Sequence, residues 1–124
     1  MMLIDTNIFV DHFRGYKDST KFFETLIERN DVLFSAITEA ELVSGKECND
    51  RNRKEKILYF LCRWNKIPVS NQIACLAGDI NRGYYLSIPD AIIAATAMVN
   101  NAELLTRNFN GFKKIPNLKI RVPY

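Results

Sequence analysis

Three acidic residues occupy positions where a side chain could take part in chemistry. Asp5 directly follows a short apolar run, Asp90 opens a long one, and Glu41 lies beside Leu42 on the border of an apolar helix face. Each also has a structural interpretation: Asp5 as a helix N-cap, Asp90 as an acid that complements a helix dipole, and Glu41 as an exposed helix residue. We expect Glu41 and Asp90 to be partly buried, and a buried carboxylate is costly without a cation.

Together, the three carboxylates would suit a hard divalent cation. Mg²⁺ and Mn²⁺ prefer oxygen ligands, and closely spaced carboxylates repel one another unless a cation neutralises them. Such a cation can lower the pKa of a bound water, orient it for in-line attack and stabilise the leaving oxygen. Other chemistries lack their residues. Because His12 is the single histidine, a two-histidine site is excluded, and we expect His12 on a helix surface. The sequence also has no phosphate-binding glycine loop and no nucleophile elbow.

The elements that must position these acids follow from short apolar runs and helical periodicity. We predict strands at 3–4, 32–34, 67–69, 103–105 and 118–122, the third at a sheet edge because it contains a proline. We predict helices at 6–13, 18–29, 36–44, 49–64, 71–81 and 89–99. This alternation predicts a parallel sheet covered on both faces, in one domain over residues 1–124. Functional residues of such sheets gather at the carboxyl ends of the strands.

Charge and cysteine content narrow the function further. The formal net charge is +3, but residues 46–66 hold seven Lys/Arg against three acids, and residues 107–121 hold five against none. Basic surfaces around an acidic region suit a polyanionic substrate. Three scattered cysteines without a C-x-x-C pair predict buried or half-buried thiols and a reducing cytoplasm. We see no targeting signal and no apolar stretch long enough to span a membrane.

Four motifs in register resemble those of the PIN-domain family. They are Leu3-Ile4-Asp5-Thr6-Asn7-Ile8, Ser35-Ala36-Ile37-Thr38-x-x-Glu41-Leu42, Pro89-Asp90-Ala91-Ile92-Ile93-Ala94-Ala95 and Leu105-Thr106-Arg107-Asn108. More narrowly, the chain resembles the VapC-like toxins of type II toxin–antitoxin modules. The resemblance implies a three-layer α/β/α sandwich with a central, mainly parallel sheet. It also implies Mg²⁺- or Mn²⁺-dependent cleavage of RNA, a homodimer, and a small cognate antitoxin protein whose tail enters the active-site groove.

The resemblance also assigns roles to individual residues. Asp5, Glu41 and Asp90 match the family's metal-binding acids, and Thr6, Asn7 and Thr106 match polar residues that support the site. One departure matters: where many relatives have a fourth acid, this chain has Asn108 and Gly111. Asn108 could still offer a carbonyl oxygen or orient a water, but it supplies no charge. A second metal would therefore be held more weakly, so we expect one well-occupied metal site. Arg107, beside the last motif, is our prediction for a contact to an RNA phosphate.

Two other functions stay open from the sequence. The missing fourth acid would also suit a catalytically weak PIN-fold module that binds RNA or protein without cutting it. A phosphohydrolase or receiver-type domain using Asp5 is disfavoured, because the first strand ends in Asp-Thr-Asn rather than Asp-x-Asp. For a protein partner, we look to the aromatic side chains between residues 18 and 64, although a core role is the alternative: Phe22, Phe23, Tyr59, Phe60 and Trp64.

Overall fold

A computed structural model describes all residues from 1 to 124. Five strands form the sheet: β1 (Met2–Ile4), β2 (Val32–Ser35), β3 (Asn65–Ile67), β4 (Glu103–Leu105) and β5 (Ile120–Arg121). Seven helices connect or follow them: α1 (Thr6–Phe13), α2 (Lys17–Glu24), α3 (Ala36–Val43), α4 (Arg51–Leu61), α5 (Asn71–Tyr84), α6 (Ile88–Val99) and α7 (Phe109–Phe112). A 3₁₀ turn at Lys46–Asn49 precedes α4.

The strands lie in the order β3-β2-β1-β4-β5, and every neighbouring pair is parallel. Successive side chains of a strand point to opposite faces, so Leu3 enters one core cluster and Ile4 the other. The first cluster lies under α5 and α6, and the second under α1 to α4. The predicted sheet covered on both faces is therefore confirmed. β1 lies at its centre, where the strand order reverses, and crevices for ligands form at such points.

The helices that carry Glu41 and Asp90 both begin at a serine residue. Ser35 ends β2 and its hydroxyl accepts a hydrogen bond from the Ile37 amide, so the helix starts immediately after the strand. Ser87 caps α6 in the same way, accepting from the Asp90 amide, and a proline occupies the first turn of that helix. These caps determine where Glu41 and Asp90 lie relative to the strand ends.

Several predicted boundaries were wrong. The third strand ends at Ile67 instead of starting there, because Pro68 has no N–H to give to the ladder. The predicted helix 49–64 begins only after Asp50, whose carboxylate caps α4 through the Asn52 amide. The helix predicted at 18–29 ends at Glu24, and α5 continues three residues beyond residue 81. The short helix α7 was not predicted, and the last strand spans two residues rather than five.

Side chains without a catalytic assignment also differ from expectation. Phe23 and Trp64 are buried, and Phe22 and Phe60 pack against the same core, so Tyr59 alone of the five aromatic residues is freely exposed. His12 is half-buried and stacks on Phe60 with ring centroids 4.3 Å apart, rather than lying on an open helix surface. Cys62 and Cys75 are exposed, against the expectation of buried or half-buried thiols. No helix is long and apolar enough to cross a membrane.

Candidate functional site

Asp5 lies at the carboxyl end of the central strand and is 2% exposed. It occupies the N-cap position of α1, but its carboxylate makes no capping hydrogen bond. Instead, Oδ2 accepts a hydrogen bond of 2.7 Å from the Thr106 hydroxyl, which follows the adjacent strand β4. The structural interpretation of Asp5 as a helix cap is therefore wrong, and its carboxylate is held at the end of the sheet.

The electrostatic environment of Asp5 is unfavourable for a bare negative charge. Burial is the main cause that raises the pKa of Asp5, to about 6, and the Thr106 hydrogen bond opposes this rise. The negative charges of Asp90 and Glu41 raise the pKa further. Because both carboxylates act on Asp5, the fold brings the three predicted acids, from three different elements, to one end of the sheet.

A relay of hydrogen bonds from two threonine hydroxyls holds the Glu41 carboxylate. Its Oε1 accepts a hydrogen bond of 2.9 Å from the Thr6 hydroxyl, which lies 2.8 Å from the Thr38 hydroxyl. Since Thr6 donates its proton to Glu41, Thr38 donates to Thr6. Glu41 itself is exposed, so the expectation of partial burial was wrong for this residue. Its position at the site comes from these hydrogen bonds.

Thr38 is a supporting residue to which sequence reasoning assigned no role. Its side chain is fully buried. The signal that could have identified it is its spacing from Glu41: residues three apart on a helix share one face.

Asp90 lies in the first turn of α6 and is half-buried, as expected. Burial raises the pKa of its carboxyl group, and a hydrogen bond with the Ser87 side chain lowers it in part. The first turn of a helix favours a negative charge, because the free amide groups there carry partial positive charge. Asp90 therefore complements the partial positive charge at the start of α6, and its own charge acts on Asp5.

The remaining predicted site residues differ in how closely they join this group. Thr106 donates to Asp5 and accepts from the Asn108 amide, so it positions both segments. Asn7 is exposed and makes no hydrogen bond to any of the three acids. The Asn108 carbonyl oxygen caps α7 by accepting from the Gly111 amide at 3.2 Å, so it is not turned towards an ion.

Arg107 contacts residues other than the three site acids. Its guanidinium lies over the rings of Tyr16 and Tyr124, with centroid distances of 5.4 and 4.9 Å. One nitrogen lies 3.6 Å from the Asp11 carboxylate, which also accepts a hydrogen bond from the Tyr124 hydroxyl. A contact to an RNA phosphate would have to compete with these three partners.

The donor set fits a hard divalent cation. As the side chains stand, no group of three or more Asp, Glu, His or Cys residues is placed to hold a metal ion. However, Asp5 carries a buried charge that two neighbouring carboxylates disfavour, and a cation among them would relieve this repulsion. All available ligands are oxygen atoms, which Mg²⁺ and Mn²⁺ prefer.

Comparison with known protein families shows the family of this chain. The model of the PIN domain matches residues 2–118. This chain belongs to the PIN domain family. Among similar proteins, the PIN domain described here is 32% identical to one named Ribonuclease VapC2 from Rickettsia felis, over 94% of this chain and 92% of that protein. It is 33% identical to one named Ribonuclease VapC19 from Mycobacterium tuberculosis, over 96% of this chain and 98% of that protein.

Solved structures share the fold of this PIN domain. A toxin-antitoxin complex from Klebsiella pneumoniae superimposes with a TM-score of 0.84 at 32% identity, covering 100% of this chain and 98% of the other. VapBC2 from Rickettsia felis, bound to a DNA fragment from its promoter, superimposes with a TM-score of 0.81 at 27% identity. That match covers 97% of this chain and 96% of the other. The three-layer α/β/α sandwich is thereby confirmed, with a sheet that is wholly parallel.

Proposed function

We propose that residues 1–124 act as one PIN-like nuclease domain: a metal-dependent endoribonuclease that is the toxin of a type II toxin–antitoxin module. The observation that carries this proposal is the buried Asp5 carboxylate at the carboxyl end of the central strand, which the Thr106 hydroxyl holds and on which the charges of Asp90 and Glu41 act. Such a group is suited to hold a cation at the end of the sheet. The relatives named ribonuclease VapC favour cleavage of RNA over the alternative of a module that only binds.

We assign Asp5, Glu41 and Asp90 as the residues that would hold Mg²⁺ or Mn²⁺. The cation would lower the pKa of a water and stabilise charge on the leaving oxygen of a phosphodiester. Thr106 orients Asp5 and favours its ionised form, because its hydroxyl donates to the carboxylate. Thr38 and Thr6 orient Glu41 by the hydroxyl relay. The first turn of α6 orients Asp90.

Further expectations complete the proposal. A single metal site is favoured, because the Asn108 carbonyl is committed to the Gly111 amide and brings no charge. Thr6, Thr106 and Thr38 are the supporting residues, with Asn7 free to turn towards a bound ion. We also propose a cytoplasmic homodimer with a small cognate antitoxin protein as partner. The structures of the toxin-antitoxin complex and of VapBC2 support the antitoxin.

Substitution of the acids tests this proposal. In Asp5→Asn and Asp90→Asn, we expect EDTA-sensitive cleavage of single-stranded RNA to fall to background while the circular dichroism spectrum is unchanged. Each variant removes one negative charge from the cation's ligands without changing side-chain size. Asp79→Asn is the matched control, because Asp79 is an exposed acid on α5 that pairs with Arg82. Full activity in both purified site variants would refute the mechanism.

A further inference from the structure

A cavity of about 700 Å³ lies beside Glu41, outside the three-carboxylate site. The end of α1 supplies one wall through Phe13 and Arg14, and α4 supplies another through Arg53 and Lys56. Glu41 lines the same space, so the cavity borders one of the three proposed metal ligands. Its volume is within the range of about 300–1,000 Å³ that is usual for binding sites.

The basic side chains that line this cavity form no ion pair with a carboxylate. Of the eight arginines in the chain, five lie within 4.0 Å of a carboxylate: Arg29, Arg51, Arg82, Arg107 and Arg121. The three without such a partner are Arg14, Arg53 and Arg63, and the first two line the cavity. Lys56 also has no carboxylate partner and lies one helical turn from Arg53, so both project from one face of α4.

The charges on these walls suit a phosphodiester strand. Arginine and lysine are the usual ligands of phosphate oxygens, and they bind most readily when no carboxylate neutralises them. One further acid, Glu47, lines the cavity, so three cations face one carboxylate that the proposed metal site does not use. Phe13 is partly exposed there and offers an aromatic surface on which an unpaired base can stack.

We propose that this cavity binds the backbone of the single-stranded RNA substrate next to the cleavage site, with Arg14, Arg53 and Lys56 as the phosphate ligands. This inference rests on the proposed ribonuclease function. It replaces Arg107 as the main phosphate contact, because Arg107 is held by Asp11, Tyr16 and Tyr124. Residues 46–66, the segment rich in Lys and Arg that includes α4, then contribute two of the three phosphate ligands.

The test measures RNA binding separately from cleavage. A short fluorescein-labelled oligouridine is titrated against Arg14→Ala, Arg53→Ala and Lys56→Ala in EDTA, at several salt concentrations. We expect each substitution to weaken binding about five- to tenfold, since each removes a charged hydrogen bond. The slope of log affinity against log salt should fall by about 0.7 for each lost phosphate contact. In cleavage with Mn²⁺, KM should rise while kcat changes little.

Two surface substitutions are the controls. Arg63→Ala removes another arginine that lacks a carboxylate partner, and Lys54→Ala removes a lysine from α4 that does not line this cavity. Both should bind and cleave as the wild type does. If the three cavity variants also behave as the wild type, while Asp5→Asn still abolishes cleavage, the inference is wrong and the ribonuclease proposal stands.

Two further outcomes would also refute the inference. If the wild type neither binds oligouridine nor cleaves RNA with metal present, both proposals fail. If an oligoglutamate peptide of equal length displaces oligouridine from the wild type at lower concentration than unlabelled oligouridine does, the cavity belongs to an acidic peptide instead.

Discussion

A distant contact, and not its position in the local sequence, determines what the Asp5 side chain does. Its position before α1 is that of an N-cap, but its carboxylate bonds to Thr106, 101 residues further along the chain. Folding places that carboxylate out of water beside two other acids, which raises its pKa to about 6. The metal-free protein therefore carries an electrostatic cost at this position when Asp5 is ionised.

Substitution of Asp5 by Asn should stabilise the metal-free protein at neutral pH. The folded state holds the Asp5 proton more tightly than the unfolded state, whose pKa is near 3.8, so folded stability declines as the pH rises from about 4 to 6. At pH 7 the ionised group costs up to about 3 kcal/mol, and the amide can still accept from Thr106. We expect Asp5→Asn to raise the free energy of unfolding at pH 7 by about 1–3 kcal/mol in EDTA.

Urea denaturation at several pH values measures this difference. The advantage of the variant should shrink towards zero as the pH is lowered to 4, because Asp5 of the wild type is then protonated in the folded state. Added Mn²⁺ should raise the midpoint of the wild type and leave that of the variant nearly unchanged. A variant less stable than the wild type at pH 7 would show that ionised Asp5 is not strained in the fold.

At the scale of elements, α6 links helix stability to the site. Ser87 accepts from the Asp90 amide and also bonds to the Asp90 carboxyl group, so one cap both starts the helix and orients a proposed metal ligand. Ser70 caps α5 through the Ile73 amide in the same manner but lies before a helix that holds no proposed ligand. A comparison of the two serines therefore distinguishes the effect of a cap on helix stability from its effect on a proposed metal ligand.

Removal of each cap should have equal effects on stability and unequal effects on metal binding. Ser87→Ala and Ser70→Ala should each lower the free energy of unfolding by about 1 kcal/mol, since each loses one capping hydrogen bond. Calorimetric titration with Mn²⁺ should show about tenfold weaker binding in Ser87→Ala alone, because a group that orients a ligand is lost. Equal affinities in the two variants would mean that Ser87 has no role in positioning Asp90.

The element boundaries show where sequence reasoning succeeded and failed. Helices that start at a serine cap, such as α3 and α6, were predicted within one residue of their bounds, because cap and periodicity agree. Residues 49–64 were predicted as one helix. The side chain of Asp50 caps α4, so the helix begins at Arg51, directly after the 3₁₀ turn, and it ends at Leu61.

For the whole molecule, the sheet couples two cores. Leu104 is fully buried in the cluster under α5 and α6, whereas Trp64, the one tryptophan, lies in the cluster on the opposite face. Neighbouring residues of β4, Leu104 and Leu105, point into different clusters. Neither layer of helices can therefore bury its apolar face without the sheet that both share.

A cavity on one face should therefore destabilise both layers together. We expect Leu104→Ala to lower the free energy of unfolding by about 2–5 kcal/mol, through lost burial and an unfilled cavity. The urea midpoint from Trp64 fluorescence should shift as much as the midpoint from far-ultraviolet circular dichroism, because unfolding is one transition. Fluorescence that kept its wild-type midpoint would show that the layer under α1 to α4 unfolds independently.

The sequence by itself determined the alternation of elements and the placement of three acids beside apolar segments, because apolar periodicity and capping residues act locally. Only the tertiary structure decided which side chains meet. The relay from Thr38 through Thr6 to Glu41 joins residues 32 and 35 positions apart, and Thr106 reaches Asp5 across 101. The contacts of Arg107 with Asp11 and two tyrosines could not be predicted from the sequence either. Such contacts depend on how the strands are ordered and how the helices pack against them, and no local pattern records either.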